Sequence, residues 1–382
     1  AEIVGAPHRQ PAPRRDLLGR MRGDDTKQAG FSLVQPAQRV PKDHPIRRIK
    51  EMADKQLKYL SPVFDTMYSN MGRPSIPPEK LLKACLLIAL FSVRSERQFC
   101  ERLEYDLMFR FFLDMGMDDP CFDASSFAKN KERLLAADVA KQFFEGVVRQ
   151  AAAHGLMSRE HFTVDGTLIE AWASVKSFKR RDKKGQQEPP DDPGNPTVNF
   201  HGEKRSNATH ESTTDPEAKM ATKGKAQTAK LSYAAHVLME NRNGLCADVE
   251  LNQAGGTAEW DGALTMLDRQ KNAGVRVRTL GADAGYDVRR FVEAVRARGT
   301  STHIASTRDT RRRSWMDARS KRHPGYAISQ RIRKRVEEVF GWWKTVGGFR
   351  KTRYRGTKRN GLWAYITAAA YNLTRMARLL PA

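Results

Sequence analysis

Three carboxylates stand in sequence contexts that suggest chemistry. Asp165 sits in the middle of residues 162–168, where Phe162, Val164, Gly166 and Leu168 alternate with Thr163, Asp165 and Thr167 as in a β-strand. In a strand covered on both faces, a carboxylate is costly unless it is paired or holds a cation. Asp283 ends the apolar stretch 275–282 and is followed by Gly285 and Tyr286. The C-terminal ends of strands in α/β sheets are where functional groups collect. Taken singly, either acid is equally well a surface residue that closes a strand or opens a helix. Glu337 lies next to an apolar stripe of Ile332, Val336, Val339, Phe340 and Trp343 at three- and four-residue steps, and Arg333 and Lys344 share its side of such a helix. An Arg333–Glu337 ion pair does not explain why residues 308–359 carry 18 Lys and Arg against four Asp and Glu. That surplus suits contact with phosphates. Carboxylates on three separate elements beside a basic helix fit a Mg²⁺-dependent nuclease or phosphoryl transferase. Mg²⁺ takes oxygen ligands, a few from carboxylates and the rest from water and substrate phosphate. Two such ions about 3.5–4 Å apart serve the attacking and leaving oxygens of an in-line displacement.

Composition points to the same partner. The 382 residues carry 67 Lys and Arg against 44 Asp and Glu, a net charge of +23, and a surplus of that size is a statement about polyanionic partners such as nucleic acid. With 40% hydrophobic and 29% charged residues the chain is globular and long enough for two or three domains. No apolar run approaches the ~20 residues of a membrane helix, and no secretory signal is apparent. Cys85, Cys100, Cys121 and Cys246 form no CxxC pair, which excludes a zinc finger or a disulfide framework and suits a reducing cytosol. A zinc site around His201, His210 and His236 lacks any supporting motif, and His44, His154, His161 and His303 read as structural.

The elements that must position the acids follow from periodicity. Residues 1–20 are rich in Pro and Arg without pattern. Met21 begins a more plausible reading frame, so this stretch is read as a leader or an upstream read-through product. Residues 42–150 read as short helices at 45–58, 62–71, 79–93, 95–112, 127–135 and 139–155. Ser95 and Gln98 form a capping box. The pair 79–93 and 95–112 fits either a helix-turn-helix or ordinary helical packing. A strand at 162–168 is followed by a polar stretch, 176–230, with four large apolar side chains among 55 residues (Phe178, Val198, Phe200 and Met220). Such a stretch is an insertion or a segment ordered by a ligand. Two β-runs, 231–240 and 245–251, around Asn241–Gly244 make a hairpin. A helix (257–271), a strand (275–282), a helix (288–298), a strand (303–305), a long basic helix (328–346) and a closing helix (362–380) complete an α/β layer architecture with a mixed sheet.

At these residues the sequence resembles bacterial insertion-sequence transposases of the DDE type, in the group typified by insertion sequence five. The resemblance is carried by residues 73–84, 92–97, 164–169, 209–218, 236–245, 282–287 and 336–344 and runs from about Arg22 to Leu379. It implies a ribonuclease-H-like mixed sheet with flanking helices, preceded by an all-helical domain. It further implies Asp165, Asp283 and Glu337 as catalytic and metal-holding residues, with Glu338 as the neighbouring alternative to Glu337. The expected organisation is a poorly structured leader (1–40), a helical domain that binds DNA ends (41–157) and a catalytic domain (158–382) with a polar insertion at about 173–230. Arg333, Lys334, Arg335 and Lys344 are expected on DNA. Gln330 stands where the related Tyr-Arg-Glu-Lys signature has Tyr. The implied cofactor is Mg²⁺, with Mn²⁺ as a substitute. The implied partners are double-stranded terminal repeats and target DNA, bound by a homodimer in the bacterial cytoplasm at the nucleoid. Two rivals share the same residues: a nuclease without strand transfer, and a DNA-binding remnant or regulator without catalysis.

Overall fold

The computed structural model describes residues 35–68, 75–136, 138–181, 205–222, 228–306 and 314–381. Most of the expected leader, the middle of the polar insertion with His201, and the basic run 307–313 lie outside the described residues.

The chain begins with helices α1 (Pro36–Arg39), α2 (Pro45–Thr66), α3 (Pro78–Leu90), α4 (Glu96–Tyr105), α5 (Leu107–Phe112), α6 (Ala124–Ala136) and α7 (Val139–Ala153). The two helices expected at 45–58 and 62–71 are one. Pro62 lies inside α2, and the buried Leu57, Leu60 and Phe64 carry a single apolar face across it, which outweighs the hydrogen bond that proline lacks. Conversely, residues 95–112 form two helices. The Asp106 side chain accepts from the Met108 and Phe109 N–H groups, ending α4 and capping α5. Ser95 caps α4 by accepting from Gln98 N–H, as the capping box predicts. α3 is buried over almost its whole length, from Pro78 to Ala89, and so packs as a core helix.

The sheet starts at β1 (His161–Glu170). It is followed by β2 (Phe178–Arg180), β3 (His210–Ser212), β4 (Lys219–Ala221), β5 (Lys230–Glu240), β6 (Cys246–Gln253), helix α8 (Ala258–Asn272), β7 (Thr279–Ala282), helix α9 (Arg289–Ala297) and β8 (Ser301–Ile304). β6, β5 and β1 form an antiparallel meander, and β7 and β8 then add in parallel to β1. The order β6-β5-β1-β7-β8 is the ribonuclease-H-like arrangement, with β4 extending the edge of β5 beyond β6. β2 and β3 pair separately, so part of the polar insertion is ordered. There the buried Asp215 accepts from the Tyr233 hydroxyl and the Gly356 N–H. The hairpin expected at 231–251 is β5–β6. Its turn is organised by the buried Glu240 carboxylate, which accepts from Arg242, Asn243 and Leu245 N–H, and by Gly244 at φ +71°, a left-handed conformation suited to glycine.

The chain ends in α10 (Ala318–Arg322), α11 (Pro324–Ile332), α12 (Val336–Lys344) and α13 (Thr357–Leu379). The long basic helix expected at 328–346 is thus divided by a 3₁₀ turn at Arg333–Arg335. α13 is buried on nearly all sides, packing against β6 and against α2, α3 and α7. Its Asn372 bonds the Cys246 N–H and C=O at 2.9 and 2.8 Å, closing the edge of β6. One sheet face, with Tyr233, Ala235, Val237 and Met239, joins α12, α13 and the N-terminal helices in a continuous core. The other, with Phe162, Val164 and Leu238, packs on α8 and α9. No helix among the described residues is long and apolar enough to cross a membrane.

Candidate active site

β1 outruns its parallel neighbour, and this opens the site. The register His161 to Thr279, Phe162 to Leu280 and Thr163 to Gly281, carried two residues further, sets Asp165 level with Asp283 just past the end of β7. Both carboxylates are half-buried. Asp165 accepts from Gly166 N–H at 2.7 Å. Asp283 accepts from Gly285 N–H at 2.8 Å and thereby caps the 3₁₀ turn Ala284–Tyr286.

α12 crosses the face of β1 that carries Thr163, Asp165 and Thr167. Lys344 Nζ donates to Thr167 Oγ1 at 2.5 Å. At the other end, a Cβ placed on Gly281 would lie 3.1 Å from Thr163 Oγ1 and 3.7 Å from Arg333 Cβ. Glu337 and Lys344, seven residues apart within α12, fall within about 20° of one another around the helix. Glu337 therefore lies on the side of α12 from which Lys344 reaches Thr167, a neighbour of Asp165 on its face. Its side chain is exposed. Glu338 instead pairs with Arg375 of α13 at 3.7 Å.

The basic residues divide. Lys334 and Arg335 are exposed, and Arg335 touches the Arg242 carbonyl. Arg333 Nε donates to Gln330 Oε1 at 2.9 Å, and Gln330 in turn donates to the His303 carbonyl. Gln330 thus ties Arg333 to β8. Nearby, a cleft is lined by Ser92, Arg94, Trp172, Lys351 and Arg353, with Trp172 60% exposed and Lys351 Nζ 5.6 Å from its ring centre.

Some neighbours of these acids escape a reading of the sequence. The Tyr286 ring is fully buried, 5.0 Å from that of Phe291, and its hydroxyl has no hydrogen-bond partner. Burial, and then the charges of Glu259, Asp165 and Asp283, push that phenol well above its ordinary value. Glu259 is in the first turn of α8, which is fastened to the site by the Trp260 indole N–H donating to the Gly285 carbonyl at 3.2 Å. The one available signal was Gly166, which breaks the strand pattern. A Cβ there would meet His236 Nδ1 at 2.9 Å and Glu259 Cγ at 3.3 Å. His236 is fully buried, both its ring nitrogens lack partners, and desolvation lowers it to about 4.

Among the described residues, no three His, Cys, Asp or Glu side chains stand close enough together to close round an ion. Carboxylate oxygens are the donors that a hard divalent cation takes, and two of the three carboxylates, Asp165 and Asp283, stand level on neighbouring strands. Such an ion completes its shell with water and substrate phosphate.

Two family models match the chain: a Transposase domain (DUF772) over residues 34–133 and a Transposase DDE domain over residues 194–373. The second match includes Asp283 and Glu337 and begins after Asp165. No curated protein matches. Among solved structures, the Mos1 transposase paired-end complex with left transposon end is 10% identical over 84% of this chain and 83% of that one, at a TM-score of 0.21. A pre-cleavage Mos1 transpososome is 10% identical over 85% and 84%, at 0.20.

Proposed function

Because the chain belongs to the DDE-type insertion-sequence transposases, we propose that it binds the ends of its element, cleaves DNA there and joins the freed 3′-OH to target DNA. The observation that carries this reading is the register that sets Asp165 level with Asp283, with α12 crossing the same face of β1. Asp165, Asp283 and Glu337 would hold divalent cations, Mg²⁺ or Mn²⁺. When bound, these activate the attacking oxygen and stabilise the leaving one. Arg333, Lys334, Arg335 and Lys344 position the phosphates. Gln330 fixes Arg333, and Thr167 fixes Lys344 until DNA arrives. The helical region, 41–157, contributes recognition of the element's ends, and two copies act together so that both ends are cut. With a net charge of +23, DNA affinity falls steeply as salt rises.

The test is cleavage and joining of labelled DNA carrying the element's own ends, with and without Mg²⁺. Joined products that need the metal and vanish in Asp165→Asn support the reading. Cleavage without joining makes the protein a nuclease. DNA binding with neither makes it a regulator or remnant.

A further inference from the structure

The cleft between the helical region and the far end of β1 takes no part in the ion chemistry. Three of its eight lining residues are cationic, Arg94, Lys351 and Arg353, and none is acidic. Lys351 shares the Glu170 carboxylate with Lys230, at 3.4 and 3.0 Å, so one acid answers two lysines. Among the described residues, Arg94 and Arg353 form no ion pair. Burial pulls the Arg353 guanidinium below its ordinary value, and the nearby Tyr354 and Glu96 offset only part of this. A half-buried cation short of countercharge favours an anion from outside. Among these cations stands Trp172, 60% exposed, with the Lys351 ammonium 5.6 Å from its ring centre. Its backbone N–H donates to Thr352 Oγ1 at 2.9 Å, which fixes the segment that carries the ring. A lone exposed aromatic is ordinary on a protein surface. One set among unanswered cations is the pairing that binds single-stranded nucleic acid, with bases on the ring and phosphates on the charges.

The cleft is also in line with the acids. Thr345 lines it, and the preceding Lys344 reaches Thr167 on the face of Asp165. Asp165 and Trp172 are seven residues apart, about 20 Å along an extended chain, or roughly six steps of a B-form strand. Ser92 Oγ donates to the Val346 carbonyl at 2.7 Å, so the lip contributed by the helical region is fastened to the end of α12. We propose that this cleft receives an unpaired nucleotide of the DNA, its base stacked on Trp172 and the flanking phosphates held by Arg94, Lys351 and Arg353. The proposal rests on the DNA-acting reading above and adds a site that tells a single strand from a duplex. The alternative is that the Trp172 ring only covers the Lys351–Glu170 pair.

The experiment measures binding of the full chain to a fluorescein-labelled thymidine oligonucleotide of about 12 nucleotides, and to a duplex of the same length, by fluorescence anisotropy over a range of salt. Trp172→Ala is expected to weaken the single strand about tenfold and to leave the duplex close to wild type. Trp172→Phe, which keeps a π-face, restores most of the affinity. Arg94→Ala and Lys351→Ala each lower the slope of log affinity against log salt for the single strand by about 0.7. Tyr59→Ala, which removes an exposed ring of α2, changes neither affinity. Should Trp172→Ala fail to fold, Trp172→Leu decides, because it keeps apolar bulk without a π-face and is expected to show the same loss. If the foldable Trp172 variant binds the single strand like wild type, or loses single strand and duplex equally, the proposal is overturned and the DNA-acting reading stands. If the wild-type chain binds neither DNA, that reading has itself failed and the cleft proposal falls with it.

Discussion

In the helical region, Asp54 and Asp114 meet Lys50 and Lys83 at 2.5–2.9 Å, two acids against two bases. At the end of β7, Asp165 and Asp283 instead accept backbone N–H groups, and among the described residues neither Asp283 nor Glu337 has an ion-pair partner. In the first cluster, burial alone would lower Lys83, but the carboxylates of Asp54 and Asp114 reverse this and hold it above its usual value. Burial would likewise raise Asp114, and Lys83 and Lys50 bring it below. Charge that is neutralised within the chain has nothing left to offer a ligand. Asp283 and Glu337 keep theirs, as the proposed ion-holding role requires.

The sharpest break in this contrast is Asp165→Asn. It is expected to cost at least about 10³ in cleavage rate, about 4 kcal/mol, while urea unfolding and DNA binding stay close to wild type. Lys83→Met should do the reverse. Leaving Asp114 buried with half its countercharge is expected to cost about 3–5 kcal/mol in urea unfolding, and cleavage at temperatures where the protein stays folded should be unchanged.

His236 sharpens the comparison, being buried and unpartnered with only desolvation acting on it. Its folded value lies below the unfolded one, so the native state binds fewer protons. The stability it permits is present above about pH 6.5 and is lost as pH falls toward 4, on the order of 2 kcal/mol by pH 5. Melting temperatures at pH 7 and pH 5 should converge in His236→Asn. The smallest effect belongs to Tyr286→Phe in the metal-free protein. Removing a hydroxyl that bonds to nothing should leave stability within about 1 kcal/mol of wild type or raise it, and a larger loss on denaturant unfolding would mean that the hydroxyl is a structural bond after all.

The strand around Asp165, the hairpin at 231–251 and helices α8 and α9 were legible because alternation, an Asn-Gly turn and helical spacing are local signals. The breaks were less so. Pro62 is tolerated inside α2 because buried side chains on both sides of it hold one face together. The stretch 275–282 reads as one strand, but only Thr279–Ala282 find partners, in β1 and β8. Asp165, Asp283 and Glu337 could be named as candidates from their contexts. The neighbours of these acids could not, since an acid in the first turn of a helix is ordinary and only the missing side chain at Gly166 hinted at the close approach of Glu259 and His236.

What the sequence determines by itself is the inventory: which segments alternate, which carry a 3.6-residue stripe, where the positive charge lies and which acids interrupt apolar runs. These follow from the chemistry of neighbouring residues. Which acids meet is decided only by tertiary structure. Asp165 and Asp283 are 118 residues apart, and they come level because β7 pairs in parallel with β1 and ends where β1 continues. The offset between two hydrogen-bonded strands, and the helix that the resulting gap admits, arise from long-range packing that no local pattern encodes.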